Sequence, residues 1–143
     1  MNILLIITTA LVLVALSFWY ARLRASDRIL AIMTRRGPIS ILASRAQLID
    51  GPNHIPVVLS LGDSQIAYEN ADLDATIDMG QIDEVEYGSD LVTGGIADGA
   101  ILRLRAHGRA FEFVLESAAA SLWSSRLPPH RVDERGTVHV VPI

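Results

Sequence analysis

The stretch A100-ILRLRAHGRAFEFVL-E116 decides the fold. Its apolar residues alternate with polar ones, the period-two pattern of a strand buried on one face. A turn at His107-Gly108 sets Leu104 opposite Phe111 and Leu102 opposite Phe113, and it places Arg103 against Glu112 on the other face. Two apolar pairs and one opposite-charge pair agree on a single register, so an antiparallel hairpin is expected here, with one face turned to a core.

Working outward, LSLGDSQIAY (59–68) carries the same period on both sides of a turn at Asp63-Ser64. That turn pairs Leu61 with Ile66 and Leu59 with Tyr68, and a slip of one residue would turn an apolar face to water. ATIDMGQIDEVEY (75–87) reads as a strand, a tight turn near Gly80 and another strand. The glycines of TGG (93–95) and DG (98–99) predict a flexible loop. After Glu116 the period changes. Ser117 is placed to cap a helix over about 118–127 in which Ala119, Leu122, Trp123 and Leu127 share a face, and Pro128-Pro129 ends it. VHVV (138–141) fits a last edge strand or a tail, and SILASRAQLI (40–49) fits a strand or a short helix equally. The expected class is α+β: a small antiparallel curved sheet, or partly open barrel, capped by a C-terminal helix.

On those stretches, residues 55–127 resemble a bacterial pleckstrin-homology-like or GRAM-like domain. The likeness lies in LSLGDSQIAY, the spacing Ile77-x-Met79-x-x-Ile82-x-x-Val85, the hairpin LRLRAHGRAFEF and the closing helix with its Trp. It implies a binding module and no catalysis. Lipid-binding members of such a family cluster basic residues around the first hairpin. This chain has Asp63 and Glu69 there and no arginine, a departure that speaks against phosphoinositide binding at that place.

Ahead of this domain lies an uncharged run. From Ile3 to Tyr20 only Thr8, Thr9 and Ser17 carry small polar groups, and eleven of the eighteen residues are Ile, Leu, Val or Phe. Such a helix rises about 27 Å, close to the hydrocarbon thickness of a bilayer. Its insertion is worth about −3 to −7 kcal/mol. Phe18, Trp19 and Tyr20 then fall where amphipathic rings prefer the headgroup boundary. A buried core helix would need a larger protein around it. A cleaved signal peptide has a weak small-x-small site at Ala15-Leu16-Ser17 but lacks a basic n-region. The expected topology is one span with the domain cytoplasmic in the cell membrane, because Arg22, Arg24, Arg28, Arg35 and Arg36 all follow the run.

Residues 21–36 keep a helical pattern, with Leu23, Ile29, Leu30 and Met33 on one side and Arg24, Arg28 and Arg35 on the other. Two readings fit: a juxtamembrane helix lying on anionic lipid, or the helix of the span continuing onto the domain. Gly37-Pro38 closes the segment. The expected organisation is a span over 1–20, a basic linker over 21–38, the domain over 39–128 and a strand or tail over 129–143.

The net charge of −4 conceals a segregation. Residues 21–50 hold six arginines against Asp27 and Asp50. Residues 51–100 hold ten acids and no arginine, and residues 101–143 hold six arginines against four acids. The acidic middle argues against a nucleic-acid surface. Asp63, Glu69, Asp72, Asp74, Asp83, Glu84 and Glu86 make up the expected docking face, with a basic protein, or a second copy of the chain, as its natural complement. The alternative partner is anionic lipid, gripped by Arg24, Arg28, Arg35 and Arg36. Arg103, Arg105 and Arg109 are expected to pair with Glu112 and its neighbours on a solvated strand face.

Catalytic chemistry finds little support, and no cofactor or metal is expected. Cysteine and lysine are both absent, which excludes disulfides, thiolate ligands and Schiff bases. Asp72-Leu73-Asp74-Ala75-Thr76 spells the DxDxT of aspartyl-phosphate phosphotransferases, but the lysine that motif needs does not exist here. A metal-dependent enzyme on Asp72 and Asp74 is the remote third reading. Read as a calcium loop, residues 72–83 put Ile77 where a glycine must turn the chain. The segment GGIADG lacks the Lys-Ser/Thr of a phosphate loop. The four histidines have no metal-ligand spacing, and no serine lies in a GxSxG context.

The orientation is open to direct test. A single cysteine at Ser125 of the full chain should resist a membrane-impermeant thiol reagent in intact cells and react after permeabilisation. Labelling in intact cells would reverse the topology.

Overall fold

The helix that begins in the apolar run does not end at Tyr20. In the computed structural model, which describes residues 2–132 and 137–140 and the side chains from residue 7 onward, α1 runs unbroken from Asn2 to Arg36. The second of the two readings of residues 21–36 is the one observed: no separate linker helix exists. The expected break at Gly37-Pro38 holds, with the Gly37 N–H closing on Met33 O at 2.9 Å. The sheet follows as β1 (Leu42–Asp50), β2 (Asn53–Leu61), β3 (Gln65–Glu69), β4 (Asp74–Asp78), β5 (Ile82–Asp90), β6 (Ile96–Ala106) and β7 (Arg109–Leu115). Helix α2 (Ser117–Arg126) and the short strands β8 (His130–Val132) and β9 (Val138–Val140) complete the described chain. Residues 40–49 are therefore mostly strand, and the expected last strand exists up to Val140; Val141 lies outside the described residues. So do Met1 and the side chains of Ile3–Ile6 in the expected span.

Every strand pair is antiparallel, in the order β4-β3-β2-β1-β7-β6-β5-β8-β9, and the sheet does not close. The class is α+β with an open sheet. Both predicted hairpins have the predicted register: Leu61 faces Ile66 and Leu59 faces Tyr68, while Leu104 faces Phe111 and Leu102 faces Phe113. His107 (φ 51°) and Gly108 (φ 71°) both take positive φ, as the tight hairpin turn requires.

The expected strand, tight turn near Gly80 and second strand are all present. The two strands do not pair with each other. A 3₁₀ turn, Met79–Gln81, capped by Asp78 Oδ1 accepting the Gly80 N–H at 2.8 Å, carries the chain away from β4 to the far part of the sheet. Ile77 and Ile82 nonetheless enter one core, because the turn shifts the apolar period. The glycine-rich loop is also shorter than expected, since Ile96–Gly99 already belong to β6. Gly99 sits at φ +150°, where a Cβ would come within 2.4 Å of Leu115 O. Only glycine lets β6 lie this close to the end of β7.

The sheet has two working faces. On the inner face Val57, Leu59, Ile66, Leu102, Leu104 and Phe113 form the core, closed by α2 through Ala120, Trp123 and Leu127. Leu122, placed on that face by the sequence pattern, is instead 57 % exposed, because the small Ala120 gives the closer approach. Ser117 is the first helical residue and not the cap; Glu116 holds the cap position without a side-chain hydrogen bond. The Trp123 indole N–H donates to Ser44 Oγ at 2.7 Å, and the Tyr87 hydroxyl donates to Leu127 O at 2.9 Å. Burial raises the Tyr87 phenol well above its ordinary value, so it stays a donor.

Trp123→Ala is expected to destabilise the domain by about 3–5 kcal/mol. Trp123→Phe, which keeps most of the volume and removes the bond to Ser44, should cost less. Denaturant melts of the three full-length chains in detergent measure both, and equal losses would place the weight on the hydrogen bond.

Candidate functional site

The outer face of the sheet is where the molecule departs from a free-standing domain. Val58, Ser60, Ala67 and Glu69 point away from the core, yet all are buried. The last two turns of α1 cover this face. Ile29, Ile32, Met33 and Arg36, spaced i, i+3, i+4, i+7, are its least exposed residues. Leu23 and Leu30, which the sequence pattern grouped with Ile29 and Met33, remain more than half exposed. The seam is fastened by charge. Arg35 Nη2 donates to Glu69 Oε1 at 2.6 Å, and Arg36 donates to Glu69 Oε2 through Nε at 3.1 Å and through Nη2.

Glu69 was expected on an exposed docking face; the structure instead buries its side chain, 2 % exposed, with one carboxylate oxygen meeting Arg35 and the other Arg36. The hydrogen bond from Arg36 holds this carboxyl below the ordinary glutamate range, against the opposing effect of burial. A buried charge without such partners would be strongly unfavourable. Nothing local in the sequence marks the triad, since its members are 33 and 34 residues apart.

The other acids divide into paired and unpaired. Glu86 binds Arg103 at 2.7 Å, and Glu84 lies between Arg105 at 3.4 Å and Arg131 at 3.6 Å. Arg103 also holds Glu112 at 2.9 Å, and the Val92 N–H donates to the same carboxylate at 3.1 Å. The expected Arg103–Glu112 pair is present, but Glu112 is buried, and of that strand face Arg105 and Arg109 stay exposed. A small apolar cluster of Leu91, Ile101 and Val114 lies on the same face, with the 91–95 turn folded over. Asp63, Asp72, Asp74 and Asp83 stay exposed. They do not form one patch. Asp63 lies at the β2–β3 turn and Asp72 at the β3–β4 turn, which are opposite ends of β3, while Asp83 is on β5. Asp72 precedes and Asp74 begins an edge strand of an antiparallel sheet, unlike the buried parallel strand the DxDxT chemistry uses. Residues 72–83 form a turn, a strand and a 3₁₀ turn, with no calcium-type loop. Among the described residues no three His, Asp or Glu side chains are grouped to hold a metal.

Between α1 and the covered part of the sheet runs an open groove of about 440 Å³. Its apolar lining includes Ile29 from the helix and Pro56 and Val114 from the sheet, and its charged lining is Arg22 from the helix, Arg45 from β1, Asp98 from β6 and Glu116. His54, whose Nδ1–H donates to Gln47 Oε1 at 3.2 Å, lies at the same groove. Of the groove's charged residues only Arg22 was singled out by sequence. The others carry no motif and are brought together by the β1–β2 pairing and the passage of α1 across it.

Fold and site together define a small open-sheet α+β domain fixed to a helix that is long and apolar enough to cross a membrane. No family model and no curated protein matches the chain.

Glu69→Gln is expected to lower stability by about 1–3 kcal/mol at neutral pH, the range for hydrogen bonds to charged groups. The exposure of Arg35 favours the lower end. The depressed carboxyl adds stability that is complete above about pH 4.3 and lost as pH falls through its lower folded value. The gap between wild type and variant should therefore narrow in acid. Denaturant melts of the full chain at pH 7 and across the acid range measure this, and a gap independent of pH would refute the charged clamp.

Proposed function

We propose that the protein is a non-catalytic, single-pass membrane protein whose pleckstrin-homology-like domain docks another protein at the cytoplasmic surface of the cell membrane. The observation that carries this reading is the clamp of Arg35 and Arg36 on Glu69. It joins the apolar helix to the sheet as one body, which suits a device for presenting a surface at a set distance from lipid. An open curved sheet closed by a Trp-bearing helix is the arrangement the resemblance implies. The arginines that follow the apolar run support the cytoplasmic orientation.

Strand β4 is the docking edge in this reading. Among the described residues it pairs only with β3, leaving one row of backbone groups open to strand addition. Asp72 and Asp74 lie at one end of it. Asp78 lies at the other, beside the β2–β3 turn of Asp63, where the Met79 N–H donates to Ser64 O at 2.8 Å. Carboxylates at both ends favour an extended basic segment and repel an acidic one. They also guard the edge against indiscriminate pairing.

A photo-crosslinking residue at the exposed Thr76 of the full chain in native membranes should capture a discrete partner. Capture should fall steeply with salt and in the Asp72→Asn/Asp74→Asn double variant. Capture indifferent to both would remove β4 as the docking edge. Release of the full chain from membranes without detergent would remove the anchored reading itself.

A further inference from the structure

We propose that the occupant of the β4 edge is β9 of a second copy of this chain, so that neighbouring copies join their sheets head to tail. This rests on the reading of β4 as a docking edge and names the strand that fills it.

The sheet has two open edges, because among the described residues β4 pairs only with β3 and β9 only with β8. Each edge leaves a row of backbone N–H and C=O groups for another strand. The register fixes what each edge shows on its two faces, since directly paired residues point to the same side of a sheet. On β9, Val140 is opposite His130, which is opposite the core residue Val85, so Val138 and Val140 turn to the core side. They are 59 % and 72 % exposed there. His139 is opposite Arg131, whose ion pair with Glu84 lies on the outer side. Strand β4 alternates in the same way. Ala75 and Ile77 take the core side, with Leu73 and Met79 packed against the core at either end. Asp74, Thr76 and Asp78 take the outer side, and all three are exposed.

These patterns match in one alignment. Core side to core side, Val138 and Val140 lie beside Ala75 and Ile77, while His139 and Arg131 face the row of Asp74 and Asp78. The reverse alignment would set valines against aspartates. Charge supports the same pairing. The described residues of β8 and β9 include no carboxylate side chain. Arg131 is 66 % exposed and loosely held, 3.6 Å from a Glu84 that also answers Arg105 at 3.4 Å. Pairing β4 with another β4 would bring aspartate against aspartate, and pairing β9 with another β9 would leave the acids of β4 unanswered. The contact is therefore heterologous, and it repeats from copy to copy into a ring or an open row. On the anchored reading, confinement to one membrane raises the effective concentration of the copies, so an edge of few residues suffices.

The chain has no cysteine, so introduced thiols report this contact alone. Two differently tagged versions of the full-length chain, Thr76→Cys and His139→Cys, are placed in the same membranes and oxidised. A disulfide should join the two versions, and neither version should form one with itself. Ala75→Cys with Val140→Cys, on the core side, should do the same and stands in should either first variant fail to fold. Val138→Asp/Val140→Asp in the His139→Cys version should cut the yield at least about tenfold, because charges of the sign that β4 carries replace the apolar contact. One chain carrying both Thr76→Cys and His139→Cys should give a ladder of multiples. An internal disulfide within that single chain, a disulfide between two Thr76→Cys copies, unchanged yield in the aspartate variant, or no disulfide from either pair would each overturn the proposal. Capture of a different protein at Thr76, with no disulfide between copies, would overturn it while leaving β4 a docking edge. Absence of any capture at Thr76 would remove both.

Discussion

A carboxylate that leaves water must bring its counter-charge with it, and Glu69 does so by drawing in Arg35 and Arg36 from α1. The requirement works in both directions. Without the helix, Glu69 would be a bare charge beside Ala67 and Ser60; without Glu69, the end of the helix would have no polar reason to lie on β3. Apolar burial supplies the rest. Ile29 removed from water is worth about 1.5–3 kcal/mol, and Val58 beneath the helix is fully covered. The outer face of β1–β3 is consequently a second interior, and the sheet is sandwiched between α1 and the core that α2 closes.

How much of this could be read in advance depended on whether a contact was local. The two hairpins were legible because turn residues and alternating side chains fix the same register within ten residues of each other. β1 was not, because its inward positions are Leu42, Ser44, Ala46 and Leu48, and a serine in that series hides the alternation. Ser44 faces inward because Trp123, 79 residues later, donates to it. Burial of Glu69 was invisible for the same reason, and the acidic balance of residues 51–100 actively suggested exposure. The apolar spacing of α1 was read as a face that included Leu23 and Leu30, while the sheet selected Ile29, Ile32 and Met33 from it. Of the groove, sequence supplied Arg22 and its place after the aromatic residues. Arg45, Asp98 and Glu116 come from separate elements, and only the topology gathers them.

Continuity of α1 sets how the domain can meet its surroundings. A flexible linker after Tyr20 would let the sheet sample a wide volume, with an effective concentration set by its length. A helix permits no such averaging. Nine residues separate Tyr20 from Ile29, a rise of about 14 Å, so the first packed residue of the sheet seam stands about that far from the end of the apolar run. In the proposed anchored reading, groups on the sheet reach the bilayer only where the helix carries them alongside; Arg22 and Arg45 share one groove because the helix passes over β1. The same stiffness orients β4. In the proposed anchored reading, an edge strand fixed to the helix through β3 and Glu69 presents its open backbone in one direction relative to the membrane. On the proposed docking at β4, tethering by a rigid helix would restrict not only where binding occurs but which geometry of partner can bind, a form of selectivity that the charges of Asp72 and Asp74 alone would not provide.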